Sequence, residues 1–200
     1  MKLDDALKYL RESKKRKFAQ SIDLIVNLKN IDLKKPENKF SKEVLLPHGR
    51  GKEISVGVIS DRIAGAVTKR DLEEFETDKK KLRTFMKKYD FLIAEASLMP
   101  FVGKVLGKYL APKGRMPKLL PPGRSHEAAI EELKKSVRIR VRDSPVIHVL
   151  AGSENMSDAQ LKENIEKIME EVQKTLPKGQ NQIKDISIKM TMGKPVKVDM

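Results

Sequence analysis

The stretch FAQSIDLIVNL at residues 18–28 decides one half of the fold, because apolar and polar residues largely alternate along it. A period of two is typical of a β-strand with one buried face. The expected inward positions are Ile22, Leu24, Val26 and Leu28. The period returns at residues 183–190, and amphipathic helices are predicted at residues 1–16 and 156–176. The chain ends therefore predict antiparallel strands packed on helices.

A second alternating segment, at residues 137–142, places three arginines on one face of a predicted strand. The turn Asp143-Ser144-Pro145 follows it, and an apolar run at residues 146–149 comes next, which together predict a β-hairpin. The arginines either contact a nucleic acid or form a solvated face, and the sequence leaves both open. The same two readings apply to the basic run at residues 14–17.

The middle of the chain has a different rhythm, which begins after a strong break at residues 47–51, PHGRG. Buried strands are predicted at residues 54–59 and 89–94, and helices at 69–88, from 99 onward and at 125–135. Alternation of strands and helices is typical of an α/β unit. We therefore predict a discontinuous domain from residues 1–49 and 136–200, interrupted by an inserted domain at residues 50–135.

The charge balance indicates the class of partner. The 200 residues include 42 Lys+Arg against 28 Asp+Glu, for a net charge of +14. Such a field attracts polyanions. Aromatic residues make up only 4% of the chain, so stacking of single-stranded bases on aromatic rings is disfavoured. A folded nucleic acid, contacted through its backbone and shape, is the better expectation.

The sequence lacks the features that are typical of several other classes of protein. The absence of cysteine excludes disulfides and thiolate metal sites, and no apolar run approaches the length of a membrane helix. We therefore expect a cytoplasmic protein with no membrane partner. The three histidines are far apart, and Walker and nucleophile-elbow motifs are missing, so no catalytic residue, metal ligand or cofactor is predicted. A nucleotide-binding α/β enzyme stays open as the alternative, on the strand–helix alternation of the middle segment alone.

Five short motifs occur in a recognisable order: residues 17–23 (KFAQSID), 46–52 (LPHGRGK), 98–100 (LMP), 111–117 (APKGRMP) and 190–193 (MTMG). With them the sequence resembles the L-one family of ribosomal proteins. The loop at residues 32–38 and the helix start Met156-Ser157-Asp158 resemble its archaeal members in particular. The resemblance implies a two-layer α+β domain built from both chain ends and an inserted Rossmann-like three-layer α/β domain beyond two hinge strands.

The resemblance also implies a function. Members of the family bind a structured stem and junction of large-subunit ribosomal RNA and form the mobile stalk near the exit site. The expected partners are this ribosomal RNA, the deacylated exit-site tRNA whose release the stalk assists, and the protein's own messenger RNA, which members often repress. The protein is expected to be a monomer within the ribosome and not an enzyme.

Site residues are carried over by position. The resemblance assigns RNA binding to Lys17, Phe18, Ser21, Asp23, Thr191, Met192 and Gly193. Hinge positions are expected at Pro47, Gly49, Gly51 and Ser136. Two departures from the family pattern stand out: Asp23 replaces the usual Glu, and the segment between Ile59 and Lys69 is short for the helix and strand that other members have there. The inserted sheet is therefore expected to lack an element.

Overall fold

The computed structural model describes residues 1–13, 16–35, 38–63, 65–120 and 125–199. The chain forms two compact units: the first comprises Met1–Lys52 and Lys135–Met200, and the second comprises Glu53–Lys134. Within the described residues, no helix has the length and apolar character needed to cross a membrane.

The chain begins in the first unit, continues into the second and then returns to the first. Along the chain the helices and strands are α1 (Leu3–Glu12), β1 (Ser21–Leu28), β2 (Phe40–Leu45), β3 (Val56–Ile59), α2 (Lys69–Thr77), α3 (Lys79–Lys88), β4 (Phe91–Glu95), α4 (Met99–Leu110), β5 (Lys118–Leu120), α5 (His126–Lys135), β6 (Ser136–Val141), β7 (Val146–Ser153), α6 (Asp158–Thr175), β8 (Ile183–Met190) and β9 (Val196–Val198). Of these, β3 to α5 form the second unit. Short 3₁₀ helices lie at Ala111–Lys113 and Gly179–Gln182.

The first unit is built on a four-stranded antiparallel sheet with the order β7-β1-β8-β9. Every second residue of β1 is buried, as its alternation predicted. These residues share one hydrophobic core with the apolar stripes of α1 and α6, so the helices form a second layer on the sheet. The opposite face of β1 carries Ser21, Asp23, Ile25 and Asn27, all partly exposed.

The predicted hairpin of β6 and β7 is wrong. β6 pairs with β2 in a separate two-stranded sheet, from Phe40 opposite Val141 to Leu45 opposite Ser136, whereas β7 pairs with β1. The apolar side of this two-stranded sheet, with Val44 and Ile139, is buried in the main core. Burial against distant strands therefore outweighs the local turn between β6 and β7.

The second unit is a parallel three-stranded sheet with the order β3-β4-β5. Leu92 and Ala94 of β4 pack in one core with residues of α2, α3 and α4, whereas Phe91 and Ile93 pack in another with Leu133 of α5. Both faces of the sheet are thus covered, and the predicted mixed α/β class is confirmed. Between β3 and α2 the described residues form a single bridge, Ile59 with Val67, and no further strand or helix, as the shortness of this segment implied.

The single helix predicted at residues 69–88 is wrong, because it is divided at Asp78. The Asp78 carboxylate accepts hydrogen bonds from the backbone N–H groups of Lys80 at 2.8 Å and Lys81 at 3.3 Å, and so begins a new helix, α3. An aspartate at this position stabilises a helix start. Strands β5 and β9, each of three residues, have no predicted counterpart.

Candidate nucleic-acid interface

The pairing of β1 with β8 brings two distant parts of the predicted site together. Ile22 lies opposite Met190, so the beginning of β1 adjoins the turn that follows β8. We call residues 17–21 and 191–193 the turn site. Six of the seven predicted RNA-binding residues belong to it, and Asp23 lies two positions along β1 on the open face of the sheet.

Thr191 fastens the turn site to the first strand. Its backbone N–H donates to the Ser21 carbonyl at 3.0 Å. Its hydroxyl accepts from the Ser21 N–H at 3.1 Å and lies 3.3 Å from the Ser21 carbonyl, to which it can donate. The hydroxyl therefore extends the β1–β8 pairing by one residue and holds the turn. A hydroxyl at this position can have two roles, to hold the turn in this way or to bond to RNA.

The backbone of the next two residues is also fixed. The Met192 N–H donates to Oε1 of the buried Gln20 side chain at 3.2 Å, and the Gly193 N–H donates to the Met190 carbonyl at 2.9 Å. A Cβ atom on Gly193 would lie 3.4–3.5 Å from atoms of Met190, so this position is closely packed on its inner side. The turn is thus held by the chain itself.

Apart from the buried Gln20, the larger side chains of the turn site are exposed. Phe18 is 53% exposed and Met192 is 61% exposed, although both are large and apolar. Lys17 and Thr191 are exposed as well. Of the basic run at residues 14–17, Lys14 and Lys15 lie outside the described residues. A rigid backbone that presents exposed apolar and cationic side chains is suited to packing against sugars, bases and phosphates of a folded RNA.

Asp23 lies in a more crowded place than Ser21. It is partly buried, it faces Lys189 across the β1–β8 pair, and a β-bulge lies between Ile22 and Asp23 on the β7 side. Burial raises the pKa of the Asp23 carboxyl, and the nearby positive charges of Lys189 and His148 lower that pKa by less. The carboxylate is therefore in an environment that disfavours its charge.

The predicted hinge residues are all located in the first unit. Gly49 and Gly51 have positive φ angles of +66° and +64°, a conformation that favours glycine. The fully buried side chain of Asn164 on α6 binds this loop: its Nδ2 donates to the Gly49 carbonyl and the Ala151 carbonyl, both at 2.9 Å, and its Oδ1 accepts from the His48 N–H at 3.2 Å. Pro47 is exposed, and Ser136 is buried at the start of β6.

Sequence reasoning missed the residues that support the site. Gln20 holds Met192, and Glu154 accepts from the Gln20 N–H at 3.0 Å while its own N–H donates to the Gln20 carbonyl at 2.8 Å. Gln20 lies in the motif at residues 17–23, but its supporting role was not predicted, and no motif includes Glu154. Lys189, which lies opposite Asp23, could have been predicted as a neighbour of the site. It precedes Thr191 by two positions along the alternating segment, and residues at this spacing share one face.

The three arginines at residues 138–142, in β6 and directly after it, are engaged within the chain. Arg138 forms an ion pair with Glu43 at 3.1 Å on the neighbouring strand, and Arg142 lies 3.7 Å from the Asp143 carboxylate. In the parts of the chain that the structure describes, no group of three or more histidine, aspartate or glutamate side chains is arranged to hold a metal ion.

Comparison with known proteins identifies the family of the chain. A family model described as "Ribosomal protein L1p/L10e family" matches residues 10–194. The chain is 44% identical over 209 residues to the "Large ribosomal subunit protein uL1" of Pyrococcus horikoshii, which covers 99% of this chain and 95% of that relative. The protein of the same name from Pyrococcus abyssi is 45% identical over 208 residues, with 98% and 95% covered, and that from Thermococcus kodakarensis is 43% identical over 209 residues, with 99% and 97% covered.

These matches extend over nearly the whole chain and nearly the whole of each relative. The chain therefore belongs to the ribosomal protein L1p/L10e family. The family resemblance noted on the five motifs is confirmed, including its archaeal character. The relatives are named as ribosomal proteins and not as enzymes.

Proposed function

We propose that this chain is a structural constituent of the large ribosomal subunit and binds a folded stem of large-subunit ribosomal RNA through the turn site. The observation that carries the proposal is the combination at the turn site of a backbone held by internal hydrogen bonds with exposed Phe18 and Met192 side chains. Phe18 and Met192 are large, apolar and more than half exposed on the two segments that the β1–β8 pairing joins, and such a surface suits a partner.

The fixed backbone matters for affinity. Because Thr191, Met192 and Gly193 are already bonded to Ser21, Gln20 and Met190, binding orders few additional groups. Apolar side chains can then pack on exposed sugars and bases, and the small Gly193 and Ser21 permit close approach of the RNA backbone. Double-helical RNA offers its shallow groove and its 2′-hydroxyls to such a surface, since its deep groove excludes side chains.

Long-range attraction comes from the charge of the same unit. Residues 1–52 and 135–200 contain 26 Lys+Arg against 16 Asp+Glu, which gives +10 of the total +14. Contacts of lysine and arginine with phosphates release counterions, so the attraction falls steeply with salt. The small turn site supplies preference for one RNA. The positive electrostatic field raises the rate of association with RNA and adds salt-sensitive affinity.

Three finer roles follow from the resemblance. We propose that the protein forms the mobile stalk near the exit site and assists release of deacylated tRNA. We also propose that it represses its own messenger RNA, in which a copy of the ribosomal stem would occupy the same turn site. No observation on the described residues favours the alternative of a nucleotide-binding enzyme.

Stalk movement would need a hinge, and we propose Pro47, Gly49, Gly51 and Ser136 for it, beside the points where the chain passes between the units at residues 52–53 and 134–135. Asn164 anchors the loop at residues 47–51 to α6. Two short connections permit near-rigid rotation. Distances between spin labels on the two units of the free protein should be broad or two-state; one narrow distance, unchanged by RNA, would contradict the hinge.

The proposed RNA site is tested with a matched pair of double variants. The first is Phe18→Ala with Met192→Ala. The control is Tyr9→Ala with Leu119→Ala, whose side chains are 55% and 54% exposed and lie outside the turn site. Each variant is titrated with the ribosomal RNA stem and with a stem of scrambled sequence.

We expect the turn-site variant to lose about 10- to 100-fold in affinity for the ribosomal stem, as is usual when apolar contacts with bases are removed. Its affinity for the scrambled stem should change little, and the control should keep the parent's preference. Equal affinities of both variants for the ribosomal stem would refute the assignment of the site.

A further inference from the structure

Helix α3 in the second unit has an unusually cationic solvent face. Lys79, Lys80, Arg83 and Lys87 are all exposed, and we call these four residues the α3 face. Among the described residues, no carboxylate oxygen lies within 4 Å of the side-chain nitrogens of these four residues. The other two cations of the helix are engaged, since Lys81 pairs with Glu74 at 2.7 Å and Lys88 lies 5.3 Å from the centre of the Tyr89 ring.

This arrangement is unfavourable for the isolated helix. Lys79 and Lys80 lie in the first turn, where the helix dipole disfavours positive charge. Arg83 follows Lys79 by four residues and Lys87 follows Arg83 by four, and like charges at this spacing destabilise a helix by about 0.2–0.5 kcal/mol per pair. The Asp78 cap offsets part of the first effect only. Lys87 lies in the last turn, where the dipole favours a cation, but the repulsion along the row remains. A local conflict that its own unit offsets only in part is typical of a functional surface.

The packing of α3 limits the kind of partner. Its apolar side chains, Leu82, Phe85 and Met86, are buried in the core of the second unit. No apolar face therefore remains to insert into a membrane, as an interfacial helix requires. The exposed face offers only charge, and its successive cations at i, i+4 and i+8 are spaced by about 6 Å along the helix axis. A regular row of negative charges is the complementary surface.

The neighbouring loop is fastened to the same helix. Arg115 donates to the Met86 carbonyl at 3.2 Å and lies 3.9 Å from the Asp90 carboxylate, so the loop of the APKGRMP motif is held at the C-terminal end of α3. Gly114 has a φ of +63°, and the Arg115 N–H donates to the Leu110 carbonyl at 3.0 Å. This motif, which the turn site does not use, therefore supports the end of the cationic helix.

We propose that the α3 face binds the phosphate backbone of a double-helical RNA segment distinct from the stem bound at the turn site. The proposal rests on the proposed function in taking RNA as the partner, because a chain of this family works among RNA. It adds a second, sequence-independent contact on the other unit. Lysines act there as point charges on phosphates, which position a duplex without reading its sequence.

The test uses the full chain and two fourfold variants of equal charge. One is Lys79→Gln, Lys80→Gln, Arg83→Gln and Lys87→Gln. The other is Lys104→Gln, Lys108→Gln, Lys118→Gln and Lys134→Gln, four exposed positions of the same unit outside α3. A labelled RNA duplex of unrelated sequence is titrated against each variant over a range of salt concentrations, alone and with the ribosomal stem present at saturation. Polyglutamate serves as the competing acidic polymer.

We expect the α3 variant to bind the duplex at least tenfold more weakly than its charge-matched control, with and without the stem. Its salt slope should fall by about three to four, one step for each lost phosphate contact. Its thermal midpoint at low salt should equal or exceed the parent's, because repulsion is removed. Its preference for the ribosomal stem over a scrambled stem should persist.

Equal weakening of both variants would overturn the proposal, since only net charge would then matter. The parent could bind polyglutamate as tightly as the duplex and lose this binding only in the α3 variant. The partner of the α3 face would then be an acidic protein and not RNA. A lowered thermal midpoint would show that the cations stabilise the helix, and would also overturn it. A failure of the Phe18→Ala, Met192→Ala test, in contrast, leaves the duplex comparison intact and bears on the turn site alone.

Discussion

The turn site of the first unit and the α3 face of the second are built in opposite ways. At the turn site, the backbone is bonded to Ser21 and Gln20, and the outward side chains include the apolar Phe18 and Met192. On the α3 face, the outward side chains are all cations without a carboxylate partner in the described chain. A fixed, partly apolar surface suits recognition of one shape, whereas a row of flexible cations suits any duplex. The two surfaces thus differ in kind: one suits preference for a particular RNA, and the other suits general attraction to phosphates.

The largest effect should follow from loosening the unit that carries the turn site. Asn164→Ala removes a buried side chain that satisfies the Gly49 and Ala151 carbonyls and the His48 N–H. Buried groups left without a partner should lower the free energy of unfolding by about 3 kcal/mol, measured in urea. Glu166→Ala, an exposed change on the same helix, should alter it by less than about 0.5 kcal/mol. Two equal values would show that the loop at residues 47–51 needs no anchor.

A smaller loss of stability is expected on substitution of Thr191, and it tests which role the hydroxyl has. Thr191→Val removes its bonds to the Ser21 backbone and should cost about 1 kcal/mol of unfolding free energy. Affinity for the ribosomal stem should fall by about fivefold, because the turn loses its fixed geometry. Thr191→Ser keeps the hydroxyl and should stay close to the parent in both measurements. Lost affinity at unchanged stability would instead assign the hydroxyl to the RNA.

The smallest effect should be the pH dependence from Asp23. Burial raises the pKa of this carboxyl, so the folded protein binds its proton more tightly than the unfolded chain does. Its stabilising contribution is therefore full below the ordinary pKa of 3.8 and is lost as the pH rises through the folded-state pKa. Asp23→Asn should unfold at higher urea concentration than the parent at neutral pH, and the advantage should vanish near pH 3. A variant less stable than the parent at neutral pH would show that Lys189 and His148 outweigh the burial.

Local periodicity was sufficient to predict the strands and helices that build the cores. The alternation of β1 and β8 and the apolar stripes of α1 and α6 all correspond to buried residues in the structure. The capping box of Ser157 with Gln160 begins α6 at the start of the helix predicted for residues 156–176. Patterns of this kind depend on residues within one element, and sequence shows them directly.

The pairing of strands with one another was not predictable in the same way. β6 pairs with β2 and not with β7, because long-range burial decides which strands meet. The bond between Thr191 and Ser21 depends on the register of β8 against β1, 170 residues apart in the chain. Gln20 meets Glu154 on the β7 side of β1 and Met192 on the β8 side, so a pattern within one segment does not reveal the supporting role of either residue. The family motifs identified the outward residues of the turn site but not the residues that hold it.

The most direct test of the central claim is whether the first unit alone recognises the ribosomal RNA stem. Residues 1–52 joined to residues 135–200 by a short linker retain the complete core shared by α1, α6 and the four-stranded sheet. Circular dichroism and a cooperative urea transition establish that this protein folds. We predict that it prefers the ribosomal stem over a scrambled stem as strongly as the full chain does, with a shallower salt dependence because the α3 face is missing. A folded first unit without that preference would contradict the claim that the turn site recognises the RNA.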